Sequence, residues 1–316
     1  VKRLRIGLLG CGTVGGGFVA LVDRERDRLR SRYSLDLTID RILVRDAGKE
    51  RRGIDPALLT TCATEVIDRD CDVIVEVVGG VHSAGTYVRR AIRQGRHVVT
   101  ANKALLAATG SELFGAAAAR GVTIGFEASV CGGVPVIGVL RRGLAGDSIE
   151  SITGILNGTS NFILSRLHEG LGFAEALACA QELGFAEADP ALDVSGQDAA
   201  QKLRILAGLA FDAPIRRTTV VGIDGITPGI IQNARSRGCV VRSVAEATRV
   251  AGGIELRVGP KFLAATEPLA RIVDETNAIV IRGRAVGEIV LSGRGAGSMP
   301  TAAAVLADVL DISCLT

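Results

Sequence analysis

Residues 3–15, RLRIGLLGCGTVG, decide how the rest of the chain is read. An apolar run ends in Gly10-x-Gly12-x-x-Gly15, and VGGGFVALVDRERDRLR (14–30) follows with helical spacing. A strand that turns through glycines into a helix points backbone N–H groups at a pyrophosphate. The first glycine permits the turn, the second lets backbone approach the phosphates, and the third lets the helix pack on the strand. Three glycines at this spacing are often only a turn. Their place between the first strand and the first helix makes a dinucleotide site the better reading, with Gly10, Gly12, Thr13, Val14 and Gly15 as its contacts.

Working outward, β-rich runs cover 3–10, 37–44, 72–78, 96–100 and 122–126, with helical stretches at 83–94 and 111–121. Continuous apolar strands alternating with helices predict a parallel sheet with right-handed crossovers, a doubly wound α/β (Rossmann) domain over 1–128. Beyond that point the pattern changes. SIESITGIL (148–156) leads to helices over 159–169, 173–183 and 195–211, then to strands at 239–248, 254–258, 277–283 and 287–293. This predicts an α+β domain over 129–297. The closing helix, within 298–316, is expected to pack back on the first domain.

The composition limits the function classes. With 316 residues, 47% hydrophobic and 22% charged, the chain has enough apolar material for two cores, which excludes wholesale disorder. Aromatic residues at 3% and a net charge of +3 without a basic tail argue against a nucleic-acid partner. Seven cysteines without a C-x-x-C pair, and no signal peptide, predict reduced thiols and a cytoplasmic location. His82, His97 and His168 are too dispersed for a histidine-built metal site. The apolar window 122–140 has the length of a membrane span. Glu127, Pro135 and Gly132-Gly133 interrupt it and predict a strand-turn-helix passage instead.

Cofactor choice turns on the end of the second strand, LVRD. Arg45 stands where an acidic residue would take the ribose hydroxyls of NAD, and with Lys49 it suits the 2′-phosphate of NADP. Asp46 is adjacent, and a surface arginine in a loop is an equally good account. NADP is favoured, with NAD left open.

The stretch EADPALDVSGQDAAQK (187–202) sets four carboxylates and one lysine before the apolar run LRILAGLAF. Ser195 reads as an N-cap with Asp198 three residues on, a variant of the capping box. On a wheel of about 100° per residue, Asp198 and Lys202 nevertheless fall within the apolar arc of Ala199, Leu203 and Leu206. At i, i+4 the two side chains touch. A buried ion pair gains little over apolar packing, so it points to a cavity with a polar ligand, and partial desolvation suits a lysine to proton transfer. A snorkelling lysine beside a cap residue is the bland alternative. Glu187, Asp189 and Asp193 form an acidic loop that fits an ammonium group or a cation; a solvated loop is the commoner case.

Six ordered motifs, GCGTVG (10–15), VVTANKALLA (98–107), FEASVCGGVPVI (126–137), GILNGTSNFIL (154–164), the stretch 182–202 and GRGAGSMPTAAAVLADVL (293–310), resemble homoserine dehydrogenase almost end to end. The resemblance implies NAD(P)H-dependent, reversible reduction of L-aspartate 4-semialdehyde to L-homoserine, in the biosynthesis of threonine and methionine. It implies catalytic roles for Lys202, Asp198 and Lys103, substrate contacts from Glu187, Asp198, Asp193 and Thr159, and cofactor contacts from Lys103, Gly184 and Gly297. Glu127, Val130, Gly132 and Val134 correspond to a family alkali-metal site, usually sodium. A homodimer is implied through the strand-rich region 239–297. The chain is expected to be a short form without the C-terminal ACT domain. Two rivals are weighed: a phosphorylating semialdehyde dehydrogenase with Cys131 as nucleophile, and a non-catalytic NADP-binding sensor.

Overall fold

The computed structural model describes residues 1–314, which form two compact units: Val1–Gly133 with the segment from Gly297 onward, and Val134–Ala296. In the first unit the elements are β1 (Lys2–Leu9), α1 (Thr13–Arg24), α2 (Arg26–Tyr33), β2 (Leu35–Leu43), β3 (Leu59–Thr60), α3 (Thr64–Ile67), β4 (Val73–Glu76), α4 (His82–Arg93), β5 (His97–Thr100), α5 (Lys103–Ala119) and β6 (Ile124–Gly125). All strand pairs are parallel, in the order β3-β2-β1-β4-β5-β6. That is the doubly wound order whose switch point lies between β1 and β4.

Alternation along each strand explains why both faces carry helices. Leu4, Ile6, Leu8, Val73, Val75 and Val99 join one buried cluster with Phe18 of α1. Leu9, Ile74 and Val98 point the other way, into a cluster with Val88 and Ile92 of α4 and Leu105 of α5. The predicted single helix over 14–30 is two, parted at Glu25, whose carboxylate binds Arg24 and Arg28.

The second unit comprises α6 (Val136–Gly138), β7 (Ile149–Ile155), α7 (Gly158–Glu169), α8 (Phe173–Glu182), α9 (Ala191–Val194), α10 (Gln197–Ala210), β8 (Ile215–Val220), α11 (Pro228–Ser236), β9 (Cys239–Val250), β10 (Gly253–Ala264), β11 (Thr276–Gly283) and β12 (Gly287–Arg294). Its sheet runs β12-β11-β7-β9-β10-β8, antiparallel except for the β10–β8 pair. Phe162, Ile163 and Leu167 of α7 pack with Ala176 and Ala180 of α8, Ile231 of α11 and Val241 of β9. Sequence reading missed β8 and α11. β8 carries exposed Arg216, Arg217 and Thr218 on an edge strand, so its apolar alternation is weak. The start of α11 was legible: Thr227 accepts from the Ile230 N–H and Pro228 is the first helical residue.

The last helix, α12 (Ser298–Ser313), belongs to the first unit. Val305 and Val309 enter the core that contains Phe18. Gly17 lets α1 meet Ser298 without a Cβ between them. Asp308, buried, accepts the Glu127 N–H at 2.8 Å, and Gly125 makes room for its carboxylate.

One buried-edge histidine sits in each unit. His97 Nδ1 accepts the Thr123 N–H at 3.1 Å, and His168 Nε2 accepts the Val241 N–H at 2.9 Å. Burial holds both imidazoles below their ordinary pKa, with Arg242 and Arg235 adding to the effect at His168. The unfolded chain therefore binds more protons, and these groups favour folding above the ordinary histidine value of about 6.5, less so as pH falls below it. Urea midpoints are expected to drop between about pH 7 and pH 5.5 and to flatten in a His97→Asn/His168→Gln variant. A midpoint already flat in the parent chain would refute this.

Candidate active site

At the C-terminal ends of β1, β2 and β4 a cavity of about 880 Å³ opens within the first unit. Its floor is the glycine turn. Gly10 has φ +104° and lies against the Val77 carbonyl; Gly12 faces open space; a Cβ on Gly15 would overlap the Gly10 carbonyl oxygen. Each glycine thus does what its position in the motif demands. Thr13 and Val14 begin α1, and the Thr13 carbonyl accepts the Ser298 hydroxyl at 2.7 Å, which brings Gly297 (φ +113°) beside that helix start.

Arg45, Asp46, Lys49 and Arg51 line one wall of the cavity. The Asp46 carboxylate accepts the Gly48 N–H at 2.8 Å, turning the loop on itself. Arg51, absent from the sequence reading, donates to the carbonyls of Asp46 at 3.0 Å and Lys49 at 2.7 Å. Cys11 also lines the cavity; burial pushes its thiol up, against the opposing pull of Arg51.

Opposite, Glu76 is fully buried at the end of β4 and accepts from the N–H groups of Val78 (2.9 Å) and Gly79 (3.1 Å) and from the Thr100 hydroxyl (2.6 Å). Asn102 caps α5 through the Leu105 N–H and donates to the Gly80 carbonyl at 2.6 Å. The TAN of VVTANKALLA therefore fixes the turn after β4, and Lys103 is the first residue of α5. Glu76 and Asn102 were not singled out in the sequence.

The second constellation lies within the other unit. The start of α10 corrects one expectation: its N-cap is Gly196, at φ +81°, and Ser195 instead donates to the Leu192 carbonyl. Left-handed geometry at Gly196 sets the chain into the helix, with Asp198 in its first turn. Its side chain turns inward, 5% exposed, to the Lys202 ammonium at 2.8 Å. Lys202 also donates to the Leu156 carbonyl at 2.7 Å, at the end of β7. Asn157, the next residue, donates through Nδ2 to Asp193 (2.7 Å) and Asp198 (2.8 Å).

Thr159 and the loop after α8 complete the picture. The Thr159 hydroxyl donates to the Phe185 carbonyl at 2.5 Å. Gly184, at φ +75°, ends α8, with the Phe185 N–H returning to the Ala180 carbonyl at 2.8 Å. Glu187 is exposed further along that loop, and its carboxylate has no partner among the described residues. The half-buried Lys202 ammonium thus lies against Asp198, and Asn157 links that carboxylate to Asp193. An ammonium and carboxylates so placed are chemically capable of proton transfer and of pairing with a cationic group.

Glu127, Val130 and Gly132 are buried in the first unit and Val134 in the second, on a turn where Cys131 (φ +55°) and Gly132 (φ +37°) are both left-handed. Cys131 is a small, buried side chain at that turn. No three or more His, Cys, Asp or Glu side chains are grouped to hold a metal among the described residues. No helix among them is long and apolar enough to cross a membrane.

Comparison with known proteins assigns the chain. The family profile described as homoserine dehydrogenase matches residues 135–310, and that of the homoserine dehydrogenase NAD-binding domain matches 10–127. The chain belongs to the homoserine dehydrogenase family. Homoserine dehydrogenase of Bacillus subtilis is 43% identical over 99% of the chain and 73% of the relative. The crystal structure of a homoserine dehydrogenase from Thiobacillus denitrificans superposes with a TM-score of 0.93 at 42% identity, covering 99% of this chain and 74% of that one. A hyperthermophilic archaeal homoserine dehydrogenase, solved in complex with NADPH, gives 0.86 at 26% identity over 100% and 99%. The chain is an NAD(P)-dependent oxidoreductase that interconverts L-homoserine and L-aspartate 4-semialdehyde. Neither the sensor reading nor the cysteine-nucleophile reading gains support from these relatives.

Proposed function

We propose that Lys202 is the proton donor of homoserine dehydrogenase chemistry in this chain, and that Asp198 orients it. The buried 2.8 Å contact between them supports this reading. The nicotinamide supplies hydride to the aldehyde carbon, or takes it back. Lys202 donates its proton to the carbonyl oxygen as charge builds there, and in reverse takes the hydroxyl proton. Asp193 and Glu187 receive the substrate ammonium. Lys103 steadies the carbonyl or the nicotinamide, and Thr159 keeps the Gly184–Glu187 loop in register through Phe185.

The cofactor is NADP in preference to NAD. Arg45 and Lys49 line the cavity as exposed cations, while the neighbouring carboxylate of Asp46 is engaged by Gly48. The archaeal relative holds NADPH on the same fold. For an alkali cation, the buried Glu127 carboxylate and the carbonyls of Val130, Gly132 and Val134 are the oxygen set, hard ligands suited to sodium. Initial rates of L-homoserine oxidation, with NADP and NAD separately and with sodium present or replaced by a bulky organic cation, test these readings together. Faster turnover with NADP, and loss of rate without sodium, are expected. Equal rates in both comparisons would refute the cofactor and cation assignments, and no turnover at all would refute the proton-donor reading.

The assembly is a homodimer through the strand-rich region 239–297. Exposed Val290 on the edge strand β12, beside half-buried Val280 on β11, supports an apolar contact there. Sedimentation at assay concentration is expected to give the mass of two chains; a monomer mass would refute it.

A further inference from the structure

Asn157 occupies the junction of β7 and α7, and its side chain is used at both ends. Oδ1 accepts the Ser160 N–H at 2.7 Å, capping the third residue of α7. With the oxygen held there, the amide nitrogen can face only one way. It donates 2.7 Å to Asp193 Oδ1 and 2.8 Å to Asp198 Oδ2, one N–H for each carboxylate. The residue is 6% exposed and Asp198 4%, so these bonds lie where water competes little. Asp198 Oδ2 also receives the Lys202 ammonium. Lys202 in turn donates to Leu156, the residue immediately before Asn157.

A helix cap alone does not require asparagine. Serine, threonine and aspartate supply the same acceptor with comparable stability. Only asparagine among these caps the helix and also directs two N–H donors at two acidic groups. Without them, the carboxylates of Asp193 on α9 and Asp198 on α10, each within hydrogen-bond distance of one amide nitrogen, would face each other without the donor they share. Like charges at such range push one group toward its protonated form, which would remove the anion that holds Lys202. The charged groups around the amide are Asp193 of α9 and Asp198 and Lys202 of α10. Leu156, just after β7, contributes its carbonyl, and Glu275, the residue before β11, sets its carbonyl against Gly158.

We propose that Asn157 is a positioning residue for the dehydrogenase reaction: its amide keeps the carboxylates of Asp193 and Asp198 ionised and apart, with Asp198 held against Lys202. This rests on the reading of Lys202 as proton donor. The amide acts through Asp193 and Asp198, setting the charge state and place of those groups.

Asn157→Ser retains a cap acceptor but cannot bridge two carboxylates. Asn157→Asp retains cap and volume while exchanging the donors for a third negative charge. Both are measured for thermal midpoint, NADP binding, kcat, KM for homoserine and the pH profile of kcat/KM. Asn157→Ser is expected to bind NADP as the parent does and to lose roughly 10- to 100-fold in kcat/KM, the scale of a lost charge-assisted bond. Its acidic limb should move to higher pH, because carboxylates that lose donors protonate more readily. Asn157→Asp should move that limb further. A purely structural cap would leave the limb where it is, with activity following the folded fraction. An unmoved limb in both variants, or parental kcat/KM in Asn157→Ser, overturns the proposal. Should one variant fail to fold, the limb of the other decides. Lys202→Ala made in parallel separates the two readings. If it is inactive while the Asn157 limbs stay put, only the positioning role fails; if it is active, the proton-donor reading fails first.

Discussion

Lys202→Arg is expected to fold, to bind NADP normally and to oxidise homoserine about 10²- to 10⁴-fold more slowly, the usual contribution of a positioned acid–base group. Arginine is the informative replacement. It keeps the positive charge beside buried Asp198, whereas Lys202→Ala takes the ammonium away from a buried anion, a change that destabilises by about 3–5 kcal/mol in comparable pairs. Guanidinium does not give up its proton at working pH, and its planar fork does not reproduce an ammonium that contacts Asp198 and Leu156 at once. Binding of NADP should be spared because the cavity is lined entirely by the first unit. The decisive readings are kcat against the NADP dissociation constant. Turnover within about threefold of the parent would mean that the position needs charge alone and that the proton comes from elsewhere.

The Asp198–Lys202 pair was legible because its signal is local: two charges four residues apart within an apolar arc need no knowledge of the rest of the fold. The glycine turn was legible for the same reason, and its three residues meet three different demands in the structure. Asn157 was not. Its carboxylate partners lie 36 and 41 residues away, and in sequence it reads only as a polar residue before a helix. Glu76 shows the same limit, since a carboxylate closing an apolar strand gives no sign that Thr100, 24 residues on, will donate to it. Ser195 shows the converse. A good cap residue one place before glycine lost the position, because the left-handed turn that starts α10 is easier for Gly196. Local patterns therefore found the ion pair and the glycine turn, while Asn157 and Glu76 became visible only with the long-range bonds.

Cofactor choice gives the second large effect. In Arg45→Ala/Lys49→Ala, kcat/KM for NADP should fall about 10- to 100-fold for each cation that meets the 2′-phosphate, while the value for NAD changes less than about threefold. The two cations line the cavity just beyond β2, where the adenosine ribose of a doubly wound fold is received. Arg51→Ala should behave differently. Its guanidinium is engaged by the carbonyls of Asp46 and Lys49, so removing it loosens the whole 45–51 loop. Both cofactors should then weaken together, with the NADP:NAD ratio moving less than in the double variant. The comparison separates a group that reads the phosphate from one that shapes the wall behind it. Equal losses for NADP and NAD in Arg45→Ala/Lys49→Ala would show that these cations meet something common to both cofactors, such as the pyrophosphate, and the preference would have to arise elsewhere along the cavity.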